Sequence, residues 1–299
     1  MNVAAIDIGT NSVRLLITDA QGRELTRLMQ VTRLGQGVDV TGTLHPDAIA
    51  RTLAVLRTYQ AEIEKHTVKK LRATATSAAR DASNSAAFFD GAEAVLGQRP
   101  ELLPGDEEAA LSFRGATTGL IGKFPPPYLV IDIGGGSTEF VLGTDAPEQL
   151  ISTNMGCVRM AERHLHADPH PAAQLEACAA DIRTILKSVR EKVDVSRAMT
   201  VVGLAGTVTS IAYLHLGLTA YDPAKSNHQK LTVADVEKVY ETLAAADVAN
   251  RRELLLEPKR AEVIVAGAAV LLTTMRELGL AELVVSEADI LDGLAASLR

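Results

Sequence analysis

The sequence predicts an α/β protein of two duplicated halves, each a mixed β-sheet flanked by helices, with a cleft between them. Three observations lead there. The stretch Ile6-Asp7-Ile8-Gly9-Thr10-Asn11-Ser12-Val13-Arg14 returns 125 positions later as Ile131-Asp132-Ile133-Gly134-Gly135-Gly136-Ser137-Thr138-Glu139, with Ile, Asp, Ile, Gly and Ser in register. Strand-like and helix-like segments alternate through both halves, as layered α/β domains require. At 299 residues, 47% hydrophobic and 22% charged, the chain has the size and composition of roughly two well-cored soluble domains.

The first phrase reads as strand, glycine turn and strand, the second strand running from Val13 to Ile17. Residues 24–34 alternate well enough for a third strand, closed by the turn Arg33-Leu34-Gly35-Gln36-Gly37. Pro46 opens a helix whose apolar positions Ile49, Leu53, Leu56, Tyr59 and Ile63 step by three or four. A short strand over 71–76 and a helix over 84–96 follow. A helix over 105–114 carries Asp106, Glu107 and Glu108 in its first turn, where acidic side chains suit the helix dipole.

Pro125-Pro126-Pro127 is stiff and extended and sets the expected division: a first domain over 1–124 and a second over 125–299, with the last helix, 287–299, able to pack back onto the first. The second half repeats strand, turn and strand, then gives helices over 158–166 and 172–192 and a buried strand over 199–202. That strand enters Gly203-Leu204-Ala205-Gly206-Thr207-Val208-Thr209-Ser210, a glycine and hydroxyl loop opening a helix. Helices over 233–244 and 261–278, a strand over 283–285 and a final helix over 289–298 complete the chain.

The net charge of −7, from 30 basic and 37 acidic residues, argues against a general nucleic-acid binder, which needs a basic face. Cys157 and Cys178 form no CxxC pair, so a disulfide framework or zinc knuckle is unsupported and both are expected as reduced, packed thiols. The start carries no basic segment before its apolar run. The longest apolar run, 263–272, is about half of the ~20 residues a membrane span needs. A cytoplasmic location without membrane partners is the expectation.

Glycine turns at Gly9, Gly134 and Gly206 let main-chain N–H groups close on anions, and neighbouring hydroxyls add donors. None matches the P-loop pattern or a complete dinucleotide fingerprint. Hydrolysis of a phosphoanhydride also needs a base or water-orienting group and a cation against the phosphate charge. Glu107 and Glu108 are available for the first role, although a helix-start charge is the alternative for both. Asp132 and Glu139 bracket the second turn, and Asp7 offers a third carboxylate. Oxygen-only ligands suit Mg²⁺ or Mn²⁺ rather than zinc. Arg14 occupies the place of Glu139 in the first copy. Arg80, which ends Ala73-Thr74-Ala75-Thr76-Ser77-Ala78-Ala79-Arg80, can fork onto phosphate or lie solvated at the surface. His166 and His170 have H-x-x-x-H spacing, but Pro169 interrupts any helix that would join them.

These residues resemble the exopolyphosphatase and guanosine-pentaphosphate phosphatase (Ppx/GppA) family, within the actin-like, ribonuclease H-like superfamily of sugar kinases and Hsp70 (ASKHA). The phrases that carry the resemblance are 5–14, 73–80, Gly105-Asp106-Glu107-Glu108-Ala109, 132–139, Met155-Gly156-Cys157-Val158-Arg159 and Ala205-Gly206-Thr207-Val208-Thr209. The resemblance implies two actin-like domains and an exopolyphosphatase that hydrolyses the terminal phosphoanhydride of inorganic polyphosphate. It makes Glu108 the general base for the attacking water and gives Asp132 and Glu139, with Asp7, to Mg²⁺ or Mn²⁺ and water. It assigns Gly9, Thr10, Asn11, Ser12, Arg14, Arg80, Gly134, Gly135, Gly136, Ser137, Thr138, Gly206 and Thr207 to phosphate. It further implies a homodimer. Longer family members carry an additional C-terminal helical region, so this chain resembles the short forms and is expected to prefer shorter polyphosphates. The alternatives are a guanosine pentaphosphate (pppGpp) 5′-phosphohydrolase, a non-catalytic (p)ppGpp or nucleotide sensor, and an ASKHA sugar or acid kinase.

Overall fold

A computed structural model describes all residues 1–299. The chain divides into two compact units, Met1–Gly115 with Asp289–Arg299, and Ala116–Ala288. The first contains strands β1 (Val3–Ile8), β2 (Ser12–Thr18), β3 (Glu24–Val31), β4 (Lys70–Ala75) and β5 (Glu101–Leu102). The second contains β6 (Tyr128–Ile133), β7 (Thr138–Gly143), β8 (Pro147–Thr153), β9 (Thr200–Leu204), β10 (Lys230–Thr232) and β11 (Glu282–Val285).

The sheet orders are β3-β2-β1-β4-β5 and β10-β11-β9-β6-β7-β8. In each, the first three strands of the unit form an antiparallel meander, and the next strand joins the first in parallel. The duplication reaches single-residue detail. The pairing of β2 with β3 slips between Ile17 and Thr18, and that of β7 with β8 slips between Leu142 and Gly143, the same point at an offset of 125. A bulge that recurs in register is an inherited feature of the fold rather than a local accident.

Strand β8 is absent from the sequence-based expectation because Pro147 and the polar Glu148 and Gln149 read as loop. A proline is tolerated there because it is the first residue of a strand at the sheet edge. Strands β5 and β10, of two and three residues, are too short to leave a period-2 signal.

The two cores follow from the helical stripes. In helix Pro46–Lys65 the buried positions are Ala48, Thr52, Leu56, Tyr59 and Ile63, and the Tyr59 hydroxyl donates to the Val13 carbonyl at 3.0 Å. In the second unit, helix Ile264–Glu277 buries every residue from Ile264 to Met275. A helix apolar all round is a core helix, which accounts for the long apolar run.

The division between units falls at Gly115/Ala116, upstream of the prolines that set it in the sequence reading. Past helix Gly105–Thr118 the chain packs within the second unit, where the Phe124 ring meets the edge of His228 with centroids 5.7 Å apart. The prolines are no free linker. The Pro125 carbonyl accepts from Thr200 Oγ1 at 2.7 Å and the Pro127 carbonyl from Met199 N at 2.9 Å, which fastens them to the entry of β9.

The final helix, Ile290–Ala296, lies on the first unit, burying Ile290, Leu291, Leu294 and Ala295 with Ala5, Leu16, Leu103 and Leu111. Its crossing with helix Gly105–Thr118 is backbone to backbone: a Cβ on Gly115 would collide with the Asp289 carbonyl, and one on Gly293 with the Leu111 carbonyl. Gly293→Ala is therefore expected to destabilise the protein by about 3 kcal/mol through overpacking, seen as a lower midpoint in urea unfolding.

Candidate active site

The two glycine turns share one design. Gly9 N donates to the Ser12 carbonyl at 2.9 Å, and Gly134 N to the Ser137 carbonyl at 3.0 Å. In the first turn the Thr10 carbonyl accepts from Gly35 N (2.9 Å), and the Asn11 carbonyl from Thr32 N and Arg33 N (3.0 and 2.9 Å). In the second, Gly134 O accepts from Cys157 N (2.9 Å), Gly135 O from Val158 N (2.8 Å), and Gly136 O from Arg159 Nε (2.7 Å). The amides of Thr10, Asn11, Gly135, Gly136 and Ser137 donate to no main-chain carbonyl. With carbonyls tied back into the protein and N–H groups left over, each turn has the form of a cradle that suits an anion.

A second glycine braces each cradle. A Cβ on Gly35 would strike the Thr10 side chain, and one on Gly156 the Gly135 carbonyl. Gly35 and Gly156 therefore belong to the site although sequence reasoning assigned them no role. Their signal was present in the turn 33–37 and in Met155-Gly156-Cys157-Val158-Arg159, as residues following the third strand of each unit.

On the strands that enter and leave the turns, Asp7 lies opposite Arg14 and Asp132 opposite Glu139, each pair sharing a sheet face. The first pair is an ion pair, with Arg14 Nη2 2.7 Å and Nε 3.2 Å from Asp7 Oδ2. Arg14 Nη1 also reaches Asp289, a residue the sequence did not single out and the N-cap of the final helix. Arg14, expected to face phosphate, is thus clamped between two carboxylates. Burial pushes the Asp7 carboxyl up against the pull of Arg14, and its Oδ1 is buried without a partner. Asn11 is 5% exposed, and both polar atoms of its side chain are buried without partners.

The second pair sets two acidic side chains face to face, 6% and 1% exposed. Like charges in adjacent strand positions repel. An oxygen-only carboxylate pair is the donor set that Mg²⁺ accepts, the remaining positions going to water and phosphate oxygens. No group of three or more His, Cys, Asp or Glu side chains is gathered as metal ligands.

Helix Gly105–Thr118 separates the two adjacent glutamates. Glu108 is drawn in: its Oε2 accepts from Arg80 Nη1 at 2.6 Å, and the same nitrogen donates to the Leu103 carbonyl at 2.8 Å. Glu107 is turned outward to Arg72 Nη2 at 2.9 Å, beside the exposed Glu101. Arg80 is therefore joined to the candidate base.

The Thr138 hydroxyl, an expected phosphate donor, is committed elsewhere. Thr138 is fully buried and its hydroxyl donates to the Met155 carbonyl at 2.5 Å. The Thr10 hydroxyl oxygen accepts from Ala78 N at 3.2 Å. Thr207 is buried, and its side chain would collide with any Cβ on Gly267. At Gly206 the Arg260 guanidinium lies where a Cβ would stand, a cation that sequence reading passed over. Ser12 begins β2, and Ser137 is buried at the end of its turn. Cys157 and Cys178 are free and buried, and burial raises both thiols, Cys178 to about 12.

Two α/β units that each carry the same strand-turn-strand element define the class of protein. Within that class the chain belongs to the Ppx/GppA phosphatase family, whose model matches residues 17–298. It is 42% identical to Exopolyphosphatase 2 of Mycobacterium tuberculosis over 99% of this chain and 98% of that protein. Among solved structures it is similar to an exopolyphosphatase-like protein (TM-score 0.96, 37% identity, covering 100% of this chain and 98% of the other). It is also similar to the Aquifex aeolicus Ppx/GppA family member (TM-score 0.81, 30% identity, covering 100% and 97%). No helix is long and apolar enough to cross a membrane.

Gly156→Ala is expected to push the second turn out of shape, weakening inorganic phosphate binding at least tenfold in calorimetric titration and costing about 2 kcal/mol of stability.

Proposed function

We propose that this protein is an exopolyphosphatase that removes the terminal phosphate of inorganic polyphosphate, with water as acceptor. The observation that carries the reading is the placement of Glu108, drawn inward onto Arg80, on a chain with two anion cradles and 42% identity to an exopolyphosphatase.

Phosphoryl transfer asks the protein mainly for positioning and charge stabilisation. Main-chain amides of the turns hold phosphate oxygens without side-chain entropy cost, and they are fixed before substrate arrives. Glu108 takes the proton of the attacking water, its carboxylate oriented by an arginine itself anchored on the Leu103 carbonyl. Asp132 and Glu139 would hold Mg²⁺, or Mn²⁺, which offsets phosphate charge when bound. In the same reading the working form is a cytoplasmic homodimer, with guanosine pentaphosphate as a secondary substrate.

The test is phosphate release from short and long polyphosphate, guanosine pentaphosphate and ATP. Glu108→Gln is expected to lower kcat on polyphosphate by roughly 10²–10⁴, whereas Glu107→Gln stays near native because Glu107 faces Arg72. Chelating divalent ions should stop release, and Mg²⁺ should restore it. A native protein that leaves every polyphosphate intact ends this reading, and faster release from guanosine pentaphosphate than from polyphosphate reverses its order of substrates.

A further inference from the structure

The two copies of the strand-turn-strand motif differ in how they compensate the residue at the fourteenth position and its counterpart. Arg14 lies between Asp7 on β1 and Met29 on β3. Its charge is met by Asp7 and Asp289, and Met29 offers it no polar group. Glu139 lies between Asp132 on β6 and Ser152 on β8. Here the outer neighbour is polar, and Ser152 Oγ donates to Glu139 Oε1 at 2.7 Å.

That bond lies where a carboxylate needs it. Glu139 is 1% exposed, so a wrong rotamer cannot be corrected by water, and a buried carboxylate is costly unless hydrogen bonds satisfy its lone pairs. The donor is itself fixed. Next to Ser152 in the strand, the Thr153 hydroxyl donates to the Thr138 carbonyl at 2.8 Å, and the Thr138 hydroxyl donates to Met155 O at 2.5 Å. Three side-chain bonds thus lock the β7–β8 edge at the position where Glu139 leaves it.

We propose that Ser152 is a positioning residue that fixes, through Oε1, the orientation of the Glu139 carboxylate beside Asp132, the pair assigned to the divalent ion. The inference rests on the proposed assignment of Asp132 and Glu139 to that ion. Hydrogen bonds to ligating carboxylates commonly alter metal affinity or activity 10–100-fold when removed. The bond is supplied by a short hydroxyl, so threonine can keep it in a strand and alanine cannot.

The experiment compares Ser152→Ala and Ser152→Thr with the native chain. It reads Mn²⁺ binding by electron paramagnetic resonance without substrate, kcat and KM on polyphosphate, and the melting temperature without metal. Ser152→Ala is expected to weaken Mn²⁺ binding about tenfold and lower kcat about tenfold, with KM and melting temperature near native, and Ser152→Thr should restore both losses. Native Mn²⁺ affinity in Ser152→Ala overturns the proposal. So does a loss that tracks a lowered melting temperature and is not rescued by threonine. If the native chain hydrolyses no polyphosphate, the functional reading fails while the Mn²⁺ measurement still decides the role of Ser152.

Discussion

The main-chain carbonyls of two short turns point into the protein because amides from the segment after the third strand hold them there. Everything the site can do with phosphate depends on that tether. A peptide plane that commits its oxygen inward presents the next N–H outward, so the amides of Asn11, Gly135, Gly136 and Ser137 are left without a main-chain acceptor. The tether works only at close range, and close range excludes a Cβ at Gly35 and Gly156. The chain arrives there because the sheets are meanders in which the third strand returns beside the second, including the shared slip at Ile17/Thr18 and Leu142/Gly143.

On this common frame the two units have diverged in charge. The first carries Asp7 opposite Arg14, an internally neutralised pair further fixed by Asp289. The second carries Asp132 opposite Glu139, an arrangement that gains from an external cation. The same two strand positions thus carry opposite charges in one copy and two acids in the other. Glu108 lies outside the duplicated motif, on a helix with no strand-turn-strand counterpart, and pairs with Arg80.

The C-terminal residues link stability to the same chemistry. The final helix can approach helix Gly105–Thr118 only because Gly115 and Gly293 remove side chains from the crossing. That approach delivers Asp289 to Arg14, and the Asp289 carboxylate simultaneously caps its own helix by accepting from Leu291 N at 2.9 Å. The packing of the helix and the electrostatics at its N-terminus therefore depend on one pair of glycines.

The sequence by itself determined the duplicated α/β plan, the strand-turn-strand units, the long core helices and the family, because each rests on local periodicity or on short glycine phrases that need no distant partner. The cross-strand placement of Asp7 with Arg14 and Asp132 with Glu139 was legible for the same reason: strand pairing places i and its cross-strand neighbour on one face without further information. Only the tertiary structure decided which of Glu107 and Glu108 turns inward, since adjacent helical residues differ by about 100° and the choice follows from where Arg80 and Arg72 lie. It alone committed Arg14 to two carboxylates, committed the Thr138 hydroxyl to Met155, and set Gly35 against Thr10, Gly156 against Gly135, Ser152 on Glu139 and Asp289 on Arg14. Those assignments are contacts between residues as much as 275 positions apart, and no local pattern carries the pairing of side chains that the folded sheets alone bring together.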